Sequence, residues 1–249
     1  MKKFSTIFIL AAFLTGLGSV ATASSALVSI NARSKTKNIV LQNQSVAPFS
    51  GISVGGPFHV TVRFGQKEEI RMEGDKDVIS RIETRVENGT LKIGFRDRRN
   101  WNWGSDGASR VKIFVTVKNL KSLSVSGSGK ANVEGNVRGD SFSSVVSGSG
   151  SLTANVEVKS YTAVVSGSGT IVASGKAGAS EISISGSGSF RGKDFRSGTA
   201  EVRVSGSGNA SIHAENRLEA VLSGSGNIRY GGDPHVDVTR SGSGSVSKL

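Results

Sequence analysis

The stretch LSVSGSGKANV, residues 123–133, contains the motif that decides the fold. The four letters SGSG occur seven times, and successive copies are 18 to 21 residues apart. The copies begin at Ser126, Ser147, Ser166, Ser185, Ser205, Ser223 and Ser241. A fixed period near twenty residues is typical of a solenoid, in which each repeat contributes one coil.

The residues that flank the motifs distinguish a solenoid from a string of flexible linkers. An aliphatic residue precedes six of the seven motifs, and an apolar residue follows two places after every one. The former are Val125, Val146, Val165, Ile184, Val204 and Leu222; the latter are Ala131, Leu152, Ile171, Phe190, Ala210, Ile228 and Val246. A disordered linker has no reason to keep apolar residues at fixed offsets. Arg240 replaces the aliphatic residue before the last motif, which suits a terminal coil.

About 19 residues per coil leave little room for a helix as well as a strand. We therefore predict an all-β fold, a parallel β-helix or solenoid with about 18–21 residues per coil, each coil made of two or three short strands. Alternation of period two places the glycines on the inward side, where the wall bends and side chains would collide. The serines are then expected to face outward and to stack as ladders of hydroxyls.

Residues 45–120 have longer alternating runs, such as FHVTVRF at 58–64. Asn88-Gly89 separates two such runs and predicts a hairpin with a type I′ turn. The segment DKDVISRI, 75–82, favours a short helical turn. We expect this N-terminal region to begin the solenoid with partly antiparallel strands.

The start of the chain has the parts of a signal peptide. A basic head at Lys2 and Lys3 precedes an apolar run at 7–17 and an A-x-A cleavage site at 21–23. We expect a signal peptide at 1–23, a polar leader at 24–44, the N-terminal β region at 45–120 and the SGSG β-helix at 121–249. No later segment is apolar enough to predict a transmembrane helix. The chain has no cysteine, so stability depends on packing and backbone pairing.

Four motifs in order give the chain a family resemblance. They are FSGISVGGPFHVTVRFG (49–65), NGTLKI (88–93), KNLKSLSVSGSG (118–129) and NIRYGGDP (227–234). Together they resemble the head GIN domain family of auto-transporter adhesins over about residues 45–249. The resemblance implies a right-handed β-helix exported by a Gram-negative bacterium, where it is periplasmic, outer-membrane-associated or secreted.

Residues with catalytic or metal-binding chemistry are few. His59, His213 and His235 lack the spacing of a metal site, so neither a metal nor a cofactor is predicted. Glycosidic cleavage needs two carboxylates at a set separation. The acidic residues of the repeat region look scattered, and no two are expected at the same position in neighbouring coils. We predict that the protein is not an enzyme, with a polysaccharide-acting β-helix enzyme as the alternative.

The segment RDRRNWNWGSDG, residues 96–107, is the candidate ligand-binding site. It follows the strand predicted at 90–95, and it contains both tryptophans of the chain. Aromatic faces stack on sugar rings, and arginines pair with sulfate, carboxylate or phosphate. The residues concerned are Arg96, Arg98, Arg99, Trp101 and Trp103. The alternative is that the tryptophans cover one end of the solenoid.

The formal net charge of +12 suits anionic partners, and the alternative is a soluble surface with surplus lysine and arginine. We predict an adhesin-like protein of the cell envelope that contacts anionic glycans, matrix or other cell-surface components, without a specific nucleic-acid partner. A purely structural envelope protein, which self-associates into a homo-oligomer through exposed edges of the coils, is a further alternative.

Overall fold

The sixteen strands found in residues 39–96 and 111–249 belong to one hydrogen-bonded sheet, which winds into a β-solenoid of about seven turns. The structure, a computed structural model, describes residues 39–96 and 111–249. The predicted all-β solenoid is confirmed, as are the antiparallel strands in its N-terminal part. Among the described residues, no helix is long and apolar enough to cross a membrane.

The described residues of the N-terminal part form eight short strands and one helical turn. Their bounds are β1 Ile39–Ser45, β2 Gly51–Gly55, β3 His59–Phe64, β4 Glu69–Asp75, α1 Lys76–Ile79, β5 Ile82–Glu87, β6 Thr90–Phe95, β7 Lys112–Val117 and β8 Ser122–Gly127. Strand β1 overlaps the segment expected to be a polar leader, and it pairs antiparallel with β4. The chain therefore enters the sheet before residue 45.

Local sequence signals account for the turns of this part. Asn88 and Gly89 have φ values of 50° and 69°, which a type I′ turn requires, and they join the antiparallel pair β5–β6. Asp75 caps α1, since its side chain accepts a hydrogen bond from the Asp77 backbone N–H at 3.0 Å. Both the predicted hairpin and the predicted helical turn are confirmed.

The C-terminal part is the SGSG solenoid. Its strands are β9 Lys130–Gly148, β10 Ser151–Gly167, β11 Thr170–Gly186, β12 Ser189–Gly206, β13 Asn209–Gly224, β14 Asn227–Gly231, β15 His235–Ser241 and β16 Ser245–Lys248. Each of them pairs in parallel with strands of the neighbouring coils. Each full coil is one strand of 16 to 19 residues, so the prediction of two or three short strands per coil is wrong. Each coil also bends a few residues after the SGSG corner. Parallel pairing continues through this second bend, where the register shifts locally, for example between Val172 and Gly175.

The coils are not stacked in the order of the chain at the N-terminal end. Strands β2 and β3 form a coil that pairs on one side with β6 and β7. On its other side it pairs with β8 and the first half of β9. After this first coil, the chain forms strands β4 to β7 on one side of it. The chain then returns to the other side as β8 and β9, where the regular solenoid starts.

Each SGSG motif forms a corner of the wall. The first glycine of every motif has a positive φ, between 97° and 118°, which glycine adopts without strain. The second glycine is buried, and a Cβ on Gly150 would lie 2.6 Å from the Gly129 carbonyl oxygen. The expected bend and close approach are thus confirmed, but the first glycine of each motif is exposed or half-buried, so only the second lies on the inward side as predicted.

The corners are joined by backbone hydrogen bonds. The Ser149 and Ser151 N–H groups donate to Gly127 and Gly129 oxygens at 2.9 Å, and later coils repeat this pattern. The motif serines are exposed as expected. Within residues 111–249, however, no hydrogen bond joins two motif hydroxyls, so the expected hydroxyl ladder gives way to a backbone ladder.

The core is a stack of aliphatic side chains with a cluster of aromatic rings at its centre. Tyr161 stacks on Phe142 in the preceding coil, with ring centroids 5.9 Å apart. It also contacts Phe195, two coils later, at 5.0 Å. This contact reaches across β11, whose inward residues Ala173 and Ala177 are small. Large and small residues in successive coils therefore fill the interior together.

Candidate functional site

The solenoid has two long outward surfaces. The first face consists of the outward side chains that follow each SGSG corner, beginning with Lys130, Ser151, Thr170, Ser189, Asn209, Asn227 and Ser245. The second face consists of the outward side chains that precede each corner, on β5, β6, β2 and β8 and on the later half of each coil. Each face has a groove between its side chains.

The groove at the N-terminal end of the second face has a volume of about 520 Å³, and we call it the N-terminal groove. Gly55 and Gly94 lie side by side in its floor on the adjacent strands β2 and β6. Charged and hydroxyl side chains surround this floor. They are Glu83, Arg85, Lys92, Arg96, Ser53 and Ser126.

Gly94 leaves the floor open although nothing in the fold requires a glycine there. Its φ lies outside the left-handed region. A Cβ at this position would have the Gly55 carbonyl oxygen as its nearest neighbour, at 3.6 Å, which is an ordinary contact. Glycine within a strand often marks a place where a ligand approaches the backbone. The floor at Gly94 is therefore not filled by packing in this fold.

The wall of the N-terminal groove is mixed in charge with a cationic surplus. The Glu87 carboxylate lies 2.5 Å from Lys92 Nζ and 2.9 Å from Arg85 Nε. The hydrogen bond from Lys92 lowers the pKa of Glu87, with Coulombic attraction from both cations acting in the same direction. Arg85 and Lys92 thus share one carboxylate, and both remain about half exposed to solvent.

Of the five residues predicted as a ligand site, the structure places one. Arg96 directly follows β6, its N–H donates to the Arg81 carbonyl oxygen at 3.0 Å, and it lines the N-terminal groove. Arg98, Arg99, Trp101 and Trp103 lie outside the described residues. A sugar-binding role and a capping role for the tryptophans both stay predictions.

The three histidines lie on different strands, β3, β13 and β15. The His213 Nε2 atom is 3.2 Å from Arg196 Nη1, and His235 Nε2 is 3.5 Å from an Asp237 carboxylate oxygen. Within residues 39–96 and 111–249, no three His, Asp or Glu side chains are grouped so that they could hold a metal ion.

The expectation that no two carboxylates share a position in neighbouring coils is wrong. Glu181, Glu201, Glu219 and Asp237 are in register on four successive coils of the second face, and we call them the glutamate row. The signal was present in the sequence, because each lies four residues before the next SGSG motif. When positions are counted forward from the preceding motif, these acidic residues do not share one offset, because the bulges of the coils differ in length.

Arginines neutralise much of the glutamate row. Arg203 contacts Glu201 and lies 3.6 Å from Glu181, and Arg217 lies 2.5 Å from an Asp237 carboxylate oxygen. Neighbouring parallel strands are about 4.8 Å apart, so carboxylates stacked at this spacing repel one another without such partners. The row is therefore an ion-pair network along the second face.

Comparisons with known proteins agree with this architecture. A family model described as "Putative auto-transporter adhesin, head GIN domain" matches residues 48–234. A search of curated proteins returns no match.

Solved structures share the fold at low sequence identity. A "putative adhesin" from Bacteroides fragilis superposes with a TM-score of 0.79 at 20% identity, over 86% of this chain and 98% of that chain. A "putative adhesin" and a "putative lipid binding protein", both from Parabacteroides distasonis, give TM-scores of 0.70 and 0.69 at 21% and 22% identity. Each covers 86% of this chain and 98% of its own.

Proposed function

Because the chain belongs to the head GIN domain family of auto-transporter adhesins, we propose that it is an adhesin-like, non-catalytic protein that contacts surface glycans through the N-terminal groove. Residues 1–23 act as a signal peptide, so the protein is exported to the envelope of a Gram-negative bacterium. The leader, the N-terminal β region and the SGSG solenoid then form the mature chain.

The observation that supports this function is the open glycine floor of the N-terminal groove. A sugar ring has hydroxyls that both donate and accept hydrogen bonds around a flatter apolar face. Glu83 offers acceptors, Arg85 and Lys92 offer donors, and serine hydroxyls do both. The bare backbone of Gly94 lets such a ring lie close to the sheet.

The test is a glycan array probed with the purified protein and with the Gly94→Leu variant. The leucine fills the groove without a clash at its Cβ, so we expect at least about a tenfold loss of glycan binding with an unchanged melting temperature. Thr153→Leu, at an exposed position of the first face, is the matched control and should bind as the parent protein does. Absence of any bound glycan, or full binding by Gly94→Leu, would contradict the proposal.

Two further measurements address export and catalysis. Mass spectrometry of the protein from the extracytoplasmic fraction should give Ser24 as its first residue. An intact N-terminus in the cytoplasm would contradict export. Incubation with the glycans that the array identifies should release no reducing ends, and their release would instead support the enzyme alternative.

A further inference from the structure

Seven arginines lie within residues 111–249, and their partners separate them into two groups. Five have a side-chain or backbone partner, and these are Arg138, Arg196, Arg203, Arg217 and Arg240. Arg191 and Arg229 have none within this range of the chain. A cation that the fold leaves unpaired can bind an external anion without breaking an internal contact.

The two unpaired arginines line the same groove on the first face. Arg191 is in register with Ser211, and Ser211 with Arg229, so the serine lies between them. Two steps between parallel strands place their backbones about 9.6 Å apart, which arginine side chains can span from both sides. The groove has a volume of about 270 Å³, and we call it the arginine groove.

The other polar side chains of the arginine groove are neutral. The Asn227 amide Nδ2 donates to Asn209 Oδ1 at 3.0 Å, and Ser245 Oγ donates to Asn227 Oδ1 at 2.7 Å. This ladder fixes the amides beside the arginines. No carboxylate is among the residues that line the groove, whereas the glutamate row lies on the other face.

We propose that the arginine groove binds an anionic group of an acidic polysaccharide, a sulfate, phosphate or carboxylate, between Arg191 and Arg229 and above Ser211. Guanidinium groups form paired, charge-assisted hydrogen bonds with the oxygens of such anions. The Ser211 hydroxyl donates one long hydrogen bond, 3.5 Å to the Phe190 oxygen, among the residues that the structure describes, and it can turn to donate to a bound anion instead. The groove is open along β12, β13 and β14, so an extended chain can continue past the bound group.

This site is independent of the proposed function. It lies on the first face near the C-terminal end, while the N-terminal groove lies on the second face. The Gly94→Leu variant should therefore bind at the arginine groove as the parent protein does.

The experiment compares dextran sulfate with uncharged dextran by titration calorimetry, and follows the arginine Nε–H signals by NMR. We expect the signals of Arg191 and Arg229 to shift with dextran sulfate only. Arg191→Gln with Arg229→Gln should weaken binding by about tenfold or more, since charged hydrogen bonds are lost. The matched control, Arg196→Gln with Arg203→Gln, removes the same charge elsewhere and should stay within about twofold.

Three results would overturn the proposal. An equal loss in the control pair would mean nonspecific attraction by the net charge. Absence of shifts at Arg191 and Arg229 would exclude the groove. Binding to phosphatidylglycerol vesicles without binding to dextran sulfate, or to inorganic sulfate alone, would assign the anion to a lipid headgroup or a free ion instead.

Discussion

At the scale of single residues, Tyr161 shows how the core accepts a polar group. Its ring is fully buried, and its hydroxyl lies 2.7 Å from the buried Ser144 Oγ. One hydroxyl donates to the other, and this hydrogen bond replaces part of the hydrogen bonding that both groups lose when they leave water. Burial raises the pKa of Tyr161 well above its ordinary value, and the hydrogen bond with Ser144 opposes this only in part.

The raised pKa of Tyr161 predicts a loss of stability at alkaline pH. Below the unfolded-state pKa of about 10, both states keep the proton and the stabilisation is complete. Above it, the unfolded state releases the proton first, so stability falls by up to about 1.4 kcal/mol per pH unit. Urea denaturation between pH 8 and 11.5 measures this loss.

Two variants isolate the contribution of Tyr161. Tyr161→Phe should lose about 1 kcal/mol at pH 8, because Ser144 loses its partner, and should show a smaller alkaline decline. Ser144→Ala keeps the tyrosine and should keep the decline. Parallel alkaline curves for Tyr161→Phe and the parent protein would contradict this account.

At the scale of elements, the SGSG corner depends on two glycines for different reasons. The first supplies a backbone conformation that other residues rarely adopt, and the second supplies space between coils. A Cβ on Gly169 would lie 2.4 Å from Val146 Cγ1 and 2.8 Å from the Gly150 carbonyl oxygen. The tight stacking of corners thus forbids a side chain at the second glycine even though its φ is ordinary.

The variant Gly169→Ala should therefore destabilise the protein by about 1 to 3 kcal/mol through overpacking. Gly94→Ala is the matched control, because its Cβ meets nothing closer than 3.6 Å. It should be neutral or stabilise by about 0.4 to 1 kcal/mol through the unfolded state. Urea denaturation midpoints measure both, and equal midpoints would show that the corners can separate.

The elements also show what a sequence alone could predict. The hairpin at Asn88-Gly89 and the glycine corners were predictable, because each depends on backbone requirements of a few adjacent residues. The glutamate row was missed, since it depends on the register between coils that bulges alter. The N-terminal groove could not be predicted, because its floor joins Gly55 and Gly94, which only the pairing of β2 with β6 brings together.

At the scale of the whole molecule, each coil is stabilised by its neighbours on either side. Within the described part of the chain, strands β10, β11 and β12 have a full parallel partner on both sides, whereas β15 pairs only with β13 and β16 only with β14. In a solenoid, stability is nearly a sum of coil and interface terms. The coil formed by β15 and β16 therefore lacks one of the two interfaces that stabilise β10 to β12.

Native-state hydrogen exchange should follow this gradient. Amides of β15 and β16 should exchange at least about tenfold faster than those of β10 to β12, since local opening at an end breaks one interface only. Peptide-resolved mass spectrometry measures the rates. Uniform protection along the chain would mean that the solenoid opens only as a whole.

The position of the β2–β3 coil has a consequence for how the protein is assembled during synthesis. Gly51 pairs with Thr90 on one side and with Ser122 on the other. The β2–β3 coil is therefore fully paired only after the strands that contain these two later residues have been synthesised. A nascent chain that ends before about residue 130 does not yet contain the complete coil with which the next coil pairs. We therefore expect the later coils to form in one direction only, from the β2–β3 coil toward the C-terminus.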